Sequence, residues 1–470
     1  DETCPIIGDL DKPGELLVLV SQKGLDRLSK KIGSLGQIGA AHLTSIESFT
    51  LLERERRFPY SVRSAILAML DDKGYARLKV RIPSFHIFSN AFREELFEQR
   101  LSLTKMGVQE EPYLKQGDFE VYSVHVDNIE QAVSLASLSL IDRLELMPVY
   151  TVTGSLVLNI ANLQLNVNSR LLNSLPTVAI VDTGIDPSSP LNPLVIGREV
   201  YVKPTEYDPT HGTAAVSLAA ASNGYVKTSF TPRCSLLDIT LLPDTGEIDE
   251  DDLISGLERA LQKHGSTVKH WNLSLAQDPD SQPTTFSDLA KKLDELHKKY
   301  EVMFYCAAGN VADYADFRTC WPPDQSRRER WVAAPGDSVC CITVGACADD
   351  NTPDDAWAPK GAPSPFSPRG PVASGVIKPD ILDVGGNIAN DGSYIGVTTI
   401  RRNGNFNALP GTSFATPRIC GMNAEIQDCI ELSGPGNVKP YLLAKALMLH
   451  HAKIPDAQIL WGNIRASDYY

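Results

Sequence analysis

Two hydrophobic rhythms divide the chain. Up to about residue 150, short apolar stretches alternate closely with amphipathic ones: ELLVLV (15–20), LDRLSKKI (25–32), ARLKVRI (76–82), FREELFEQRL (92–101), FEVYSVHV (119–126), IEQAVSLASL (129–138) and DRLELMPVY (142–150). Strand-like and helix-like segments at such spacing predict a small α+β unit, with helices on one face of a sheet. From residue 177 the apolar segments become continuous runs: TVAIV (177–181), SLLDITLL (235–242), VKHWNLSL (268–275), VMFYCAA (302–308) and CCITVGA (340–346). A run without polar alternation suits a strand buried on both faces. Helix-period segments lie between them, DDLISGLERALQKHG (251–265) and FSDLAKKLDELHKKY (286–300). The pattern predicts an α/β fold, a parallel sheet with helices on both faces, preceded by a smaller α+β domain. The expected boundaries are 1–150 for the first domain, a polar, Asn-rich linker over 151–176, and 177–470 for the second. Residues 312–338 and 349–371 read as long loops, the first an insertion and the second a Pro-, Asp- and Ser-rich surface loop.

Composition narrows the function classes. At 470 residues the chain is too long for one ordinary core, in keeping with two domains. No apolar run approaches the ~18 residues of a membrane span, so no membrane partner is expected. Lys and Arg number 44 against 58 Asp and Glu, a formal charge of −14, which argues against a nucleic-acid partner. The nine cysteines are an odd number, and Cys306, Cys340, Cys341 and Cys420 sit in apolar context, as small buried hydrophobes do. There is no CxxC pair and no zinc-ligand spacing. Cysteine usage of this kind leans toward the cytoplasm, with secretion as the alternative.

Four short motifs carry chemistry. VDTGID (181–186) follows the TVAIV strand and puts Asp182 at the carboxyl edge, where functional groups of open α/β sheets gather. HGT (211–213) opens a helix-like run, AAVSLAAAS, and its His211 is a candidate general base. CAAGN (306–310) ends another strand. Asn310 there could turn its amide toward an oxygen that gains charge, and Gly309 lets a substrate backbone come close. GTSFATP (411–417) surrounds Ser413 with small residues before a helix whose N–H groups point at the hydroxyl's surroundings. Each motif alone is commonplace as a turn, cap or polar helix start.

Together and in this order they resemble the subtilisin-like serine peptidases, from about residue 177 to 465. WNLSLAQ (271–277), SVCCITVGA, FSPRGP (366–371) and KPDILDVGG (378–386) also follow in the family's order. The resemblance implies a subtilisin-like fold and an endopeptidase acting on protein or peptide substrates. It implies a triad of Asp182, His211 and Ser413, with Asn310 in the oxyanion hole. The substrate strand would be Leu273, Ser274, Leu275 and Ala276, beside Ala308 and Gly309. No cofactor enters such chemistry; structural calcium is frequent in the family, but no residue here is assigned to it. The N-terminal domain is similar to the family's prodomain, which implies an intramolecular inhibitor with self-cleavage near Tyr150–Thr151. A fixed accessory domain is the other reading. The sequence departs from the family pattern at Ala214, at Ala276 and Gln277, where glycines are usual, and in KPDILDVGG. These departures bear on substrate preference, with a narrower groove expected at Ala276. A scaffold that no longer turns over and an ester hydrolase are the competing classes.

Overall fold

The computed structural model describes residues 57–84, 97, 100–138, 140–152, 174–221, 232–277, 285–311, 330–348, 356–370, 372–400, 406–434 and 436–452, with short pieces at 6–9, 16–18, 26–27 and 29–30. Two units divide the chain between Pro148 and Val149. The predicted insertion at 312–338 and the linker at 151–176 fall largely outside the described residues.

In the first unit, helix α1 (Tyr60–Lys73) leads to strand β1 (Ala76–Pro83), followed by β2 (Leu114–Gln116), β3 (Phe119–Val126), helix α2 (Ile129–Ala136) and β4 (Arg143–Leu146). The strands form an antiparallel sheet in the order β2-β3-β1-β4. Side chains alternate between the two faces of a strand, and the register puts Ala76, Leu78, Val80 and Ile82 on one face with Tyr122, Val124 and Val126. That face packs on Ile66 of α1 and on Ala132 and Leu135 of α2. α2 starts where the Asn128 side chain accepts from the Gln131 N–H, a capping bond that satisfies one of the helix's free donors.

The second unit opens with the short strand β5 (Val149–Thr151). β6 (Thr177–Asp182), β7 (Val195–Val200), helix α3 (Thr210–Ala220), β8 (Ser235–Thr240), β9 (Glu247–Asp249) and helix α4 (Glu250–His264) follow. Next come β10 (His270–Leu273), β11 (Ala276–Gln277), helix α5 (Asp288–Tyr300), β12 (Met303–Ala307), β13 (Ile342–Cys347) and β14 (Ile381–Val384). The chain continues through β15 (Val397–Ile400), β16 (Phe406–Leu409), and helices α6 (Thr412–Ser433) and α7 (Pro440–His451). Seven strands make one parallel sheet in the order β14-β13-β12-β10-β6-β8-β7. β8 and β10 are buried throughout, as predicted, with Asp238, His270 and Asn272 buried among their apolar residues. Val178, Ile180, Tyr305 and Val344 meet Val216 and Ala219 of α3, Ile419 and Ala424 of α6, and Tyr441 of α7. α4 and α5 pack against one another, and α5 also packs on β12. Their rows Leu253, Leu257, Leu261 and Leu289, Leu293, Leu296 are buried. No described helix is long and apolar enough to cross a membrane.

Of the predicted surface loop 349–371, residues 356–370 are described, and 362–370 are buried rather than exposed. Ala358, Ala362, Ser364, Phe366 and Ser367 are buried. The loop's backbone finds partners inside: Ala348 N–H donates to Ala362 O, Ser364 N–H to Ala346 O and Val311 N–H to Phe366 O. Polar turn chemistry was legible, but those pairings depend on distant strands. Among the cysteines, Cys306, Cys341 and Cys420 are buried and unbonded, whereas Cys340 is only half-buried.

One buried polar group makes stability depend on pH. His270 in β10 is 2% exposed and its Nδ1 lies 2.7 Å from the Tyr305 hydroxyl, which also accepts from Asn423 Nδ2. Burial pushes the imidazole down to about 4. The unfolded chain takes up this proton near pH 6.5 while the folded one does not, so the contribution is complete above that pH and lost as pH falls toward 4. Urea unfolding is expected to show about 2 kcal/mol less stability at pH 5 than at pH 7 from this group. His270→Gln should flatten that difference; an equal acid loss in both proteins would assign it elsewhere.

Candidate active site

β6 is an interior strand of the sheet, between β10 and β8. The chain runs from it to β7 and β8 on one side, then to β10, β12, β13 and β14 on the other. Crevices of open α/β sheets form at such a reversal, outside the carboxyl ends of the strands. Asp182 ends β6 there and is 1% exposed. His211, the second residue of α3, brings Nδ1 to 2.8 Å and 3.0 Å from the Asp182 carboxylate oxygens. A carboxylate only accepts, so the proton of this bond sits on Nδ1 and the Nε2 lone pair is the basic one. Nε2 is buried and has no hydrogen-bond partner among the described residues.

The turn that presents Asp182 is clamped from behind. Thr183 N–H donates to Asp182 Oδ1, and Thr183 Oγ1 accepts from Gly212 N–H. The Ile185 N–H donates to Asp238 Oδ2, while its carbonyl accepts from Arg198 Nη1 and the Tyr207 hydroxyl. Burial holds the Asp238 carboxyl up to about 6 although Arg198 lies 2.6 Å away. Gly184 has φ +102, and a Cβ there would stand 2.7 Å from both Thr240 and Tyr207, which explains the glycine of VDTGID.

Ser413 is 3% exposed in the first turn of α6. The ring of Phe414, its neighbour, lies 5.3 Å from the His211 imidazole, which sets the Ser413 turn beside the histidine. Pro417 interrupts the helix ladder four residues on. Lacking an N–H, it leaves the Ser413 carbonyl without its usual helical donor. The Ser274 hydroxyl supplies one at 2.8 Å, itself accepting from Asn272 Nδ2. Thus the Pro of GTSFATP and the Ser of WNLSLAQ complete each other.

Asn310 reaches the same turn. Its Oδ1 accepts from the Thr412 N–H at 3.0 Å, and Thr412 Oγ1 donates to Gly309 O. The Thr412 N–H can only donate, so Oδ1 is fixed as the acceptor and Nδ2 is the amide end that can meet an oxyanion. Gly309 has φ +99; a Cβ would fall 2.8 Å from Ala333 and 3.7 Å from Ala276.

These features agree with the model of the subtilase family, which matches residues 174–462. The chain belongs to the subtilase family. Among curated relatives of this subtilase, serine protease AprX of Bacillus subtilis (strain 168) is 31% identical over 265 residues, covering 53% of this chain and 56% of AprX. Subtilisin E of the same organism is 26% identical over 256 residues, 53% of this chain and 54% of subtilisin E. The chain therefore spans about half the length of the curated relatives it matches.

One residue of the predicted substrate strand, Leu273, needs correction in this subtilase. Leu273 is buried in β10, its backbone paired with β6 on one side and β12 on the other, so it offers no edge. Ser274 and Leu275 are also fully buried. Outward pairing is made by β11, at Ala276 and Gln277. Ala308 and Gly309 do lie at its flank: Ala333 N–H donates to Ala308 O, and Gln277 N–H to Ala334 O. No sequence pattern pointed to the opposite edge, β9. Between β9 and β11 sits β5, antiparallel to both, with Thr151 opposite Glu247 and Ala276, and Tyr150 opposite Ile248 and Gln277. Val152 N–H extends the ladder to Gly246 O. The Tyr150–Thr151 bond, expected to be cut, lies inside this three-stranded sheet. Tyr150 is fully buried, and its hydroxyl donates to Glu250 Oε2 at 3.1 Å. Among the described residues, one carboxylate trio, Asp249, Asp251 and Asp252, is close enough to share a cation. It sits at the start of α4, where the helix dipole already favours negative charge.

Proposed function

We propose that this subtilase is a serine endopeptidase of protein or peptide substrates, with Asp182, His211 and Ser413 as its triad. The observation that carries the reading is the His211 Nδ1–Asp182 pair, which leaves Nε2 as a buried base beside the Ser413 turn. Ser413 Oγ attacks the scissile carbonyl as Nε2 takes its proton. The imidazolium, stabilised by Asp182, then protonates the leaving amine. Water enters through the same base and frees the acyl group. The Nε2–hydroxyl hydrogen bond forms in the substrate complex, as such bonds tighten on binding. Asn310 Nδ2 and the Ser413 N–H stabilise the tetrahedral oxyanion.

A fluorophosphonate probe should label Ser413 and no other residue. An unlabelled, folded chain that cleaves no peptide would overturn the assignment. Asn310→Ala should lower kcat about 10²–10³-fold with KM little changed, because its amide serves a charge present only in the transition state.

The chain's own residues also act on this site. Val149–Val152 fill the groove as a substrate's backbone would, adding a middle strand to two edges. This supports an inhibitor role for the N-terminal part of the chain, with the processed bond downstream of Val152. Mass spectrometry of the activated protein checks both statements.

A further inference from the structure

The strand seated in the groove carries one side chain into the interior, and that side chain has a polar partner. Tyr150 is fully buried between β9 and β11, and Glu250, 1% exposed, receives its hydroxyl. Apolar burial alone would be served equally by Phe. A buried carboxylate is another matter: it gains from each donor that reaches it, and a phenylalanine here would take the phenol donor away. Burial, followed by the Glu250 charge, holds the Tyr150 phenol well above its ordinary range, so it stays protonated and donates. Glu250 is the first residue of α4, whose first turn also holds Asp251 and Asp252. That turn's N–H groups favour a negative charge at this place. The pocket thus offers a buried acceptor to a phenol, and the chain's own segment supplies that phenol.

We infer that Glu250 is a specificity determinant, selecting substrates with tyrosine over phenylalanine at the position held here by Tyr150. The inference rests on the endopeptidase reading above and deepens it by naming a side chain the substrate must bring. A site that hydrogen-bonds a substrate hydroxyl discriminates strongly against the analogue lacking it, whereas a hydrophobic pocket separates such pairs poorly. Tyr150 is two residues before Val152, where the described ladder ends, so the selected tyrosine lies upstream of the cut.

The test presents a peptide library to the purified full chain and reads the cut sites by mass spectrometry. Tyrosine should be enriched at one fixed position upstream of the cut, and a matched Tyr/Phe peptide pair should differ roughly 10- to 100-fold in kcat/KM. Glu250→Leu should reverse the preference toward Phe. Because that variant can fail to fold, Tyr150→Phe within the chain is a second arm. Weakening the seated strand should raise turnover of a tyrosine peptide by a comparable factor. Equal use of Tyr and Phe by the unmodified chain, with turnover unchanged in Tyr150→Phe, overturns the inference and leaves the peptidase reading intact. Absence of all cleavage together with absence of Ser413 labelling overturns both.

Discussion

Ser413→Ala is expected to lower peptide turnover by about 10⁶-fold while leaving the fold in place, a magnitude taken from the corresponding change in subtilisin. The loss is large because the attacking oxygen is gone. What remains, roughly 10³–10⁴ over water, comes from the oxyanion donors and from binding. The fold should survive for a reason visible at the site. The structural bond at this residue is made by its backbone carbonyl, to the Ser274 hydroxyl, and an alanine keeps it. The unfolding midpoint should therefore move by no more than about 0.5 kcal/mol implies, the usual range for a benign change. The variant should also stay uncut downstream of Val152 when the wild type is processed. Collapse of the fold would make Ser413 a structural residue, and persistent turnover would place the nucleophile elsewhere.

Gly212→Ala is expected to cost about 1–3 kcal/mol of stability by overpacking and about 10⁴-fold in kcat by releasing the imidazole from its tautomer lock. Helix propensity predicts the opposite sign, since Ala normally stabilises a helix by about 1 kcal/mol over Gly. Packing decides the matter. A Cβ at position 212 would lie 2.2 Å from the Gly184 carbonyl oxygen and 3.0 Å from two further Gly184 backbone atoms. Those atoms belong to the clamped turn after Asp182, so α3 must move instead. Its first turn carries His211, and displacement breaks the 2.8 Å bond to Asp182. Thermal unfolding with parallel kcat measurement checks both parts. A variant more stable than wild type and fully active would mean that α3 has more room than this contact allows.

The two kinds of prediction differ in what they needed. Asp182, His211, Asn310 and Ser413 were readable because each stands in a short motif at the end of a strand or the start of a helix. Continuous apolar runs located those strands. Local order was enough, since the same backbone that makes the turn also places the side chain. The groove was harder. WNLSLAQ showed where a substrate strand begins, but only the sheet order showed that Leu273 is consumed by two neighbours and that pairing starts at Ala276. In the same way, 349–371 looked like surface because its residues are polar, although 362–370 are buried and paired with distant backbone groups.

Read alone, the sequence determined the family, the parallel α/β core and the candidates for the triad, because hydrophobic period and turn chemistry act over a few residues at a time. Only the tertiary structure decided which strands flank the groove, that Val149–Val152 fill it, that Pro417 frees a carbonyl for Ser274, and that Glu250 meets Tyr150 across 100 positions. Those pairings depend on register and packing between segments far apart in the chain, which no local pattern encodes.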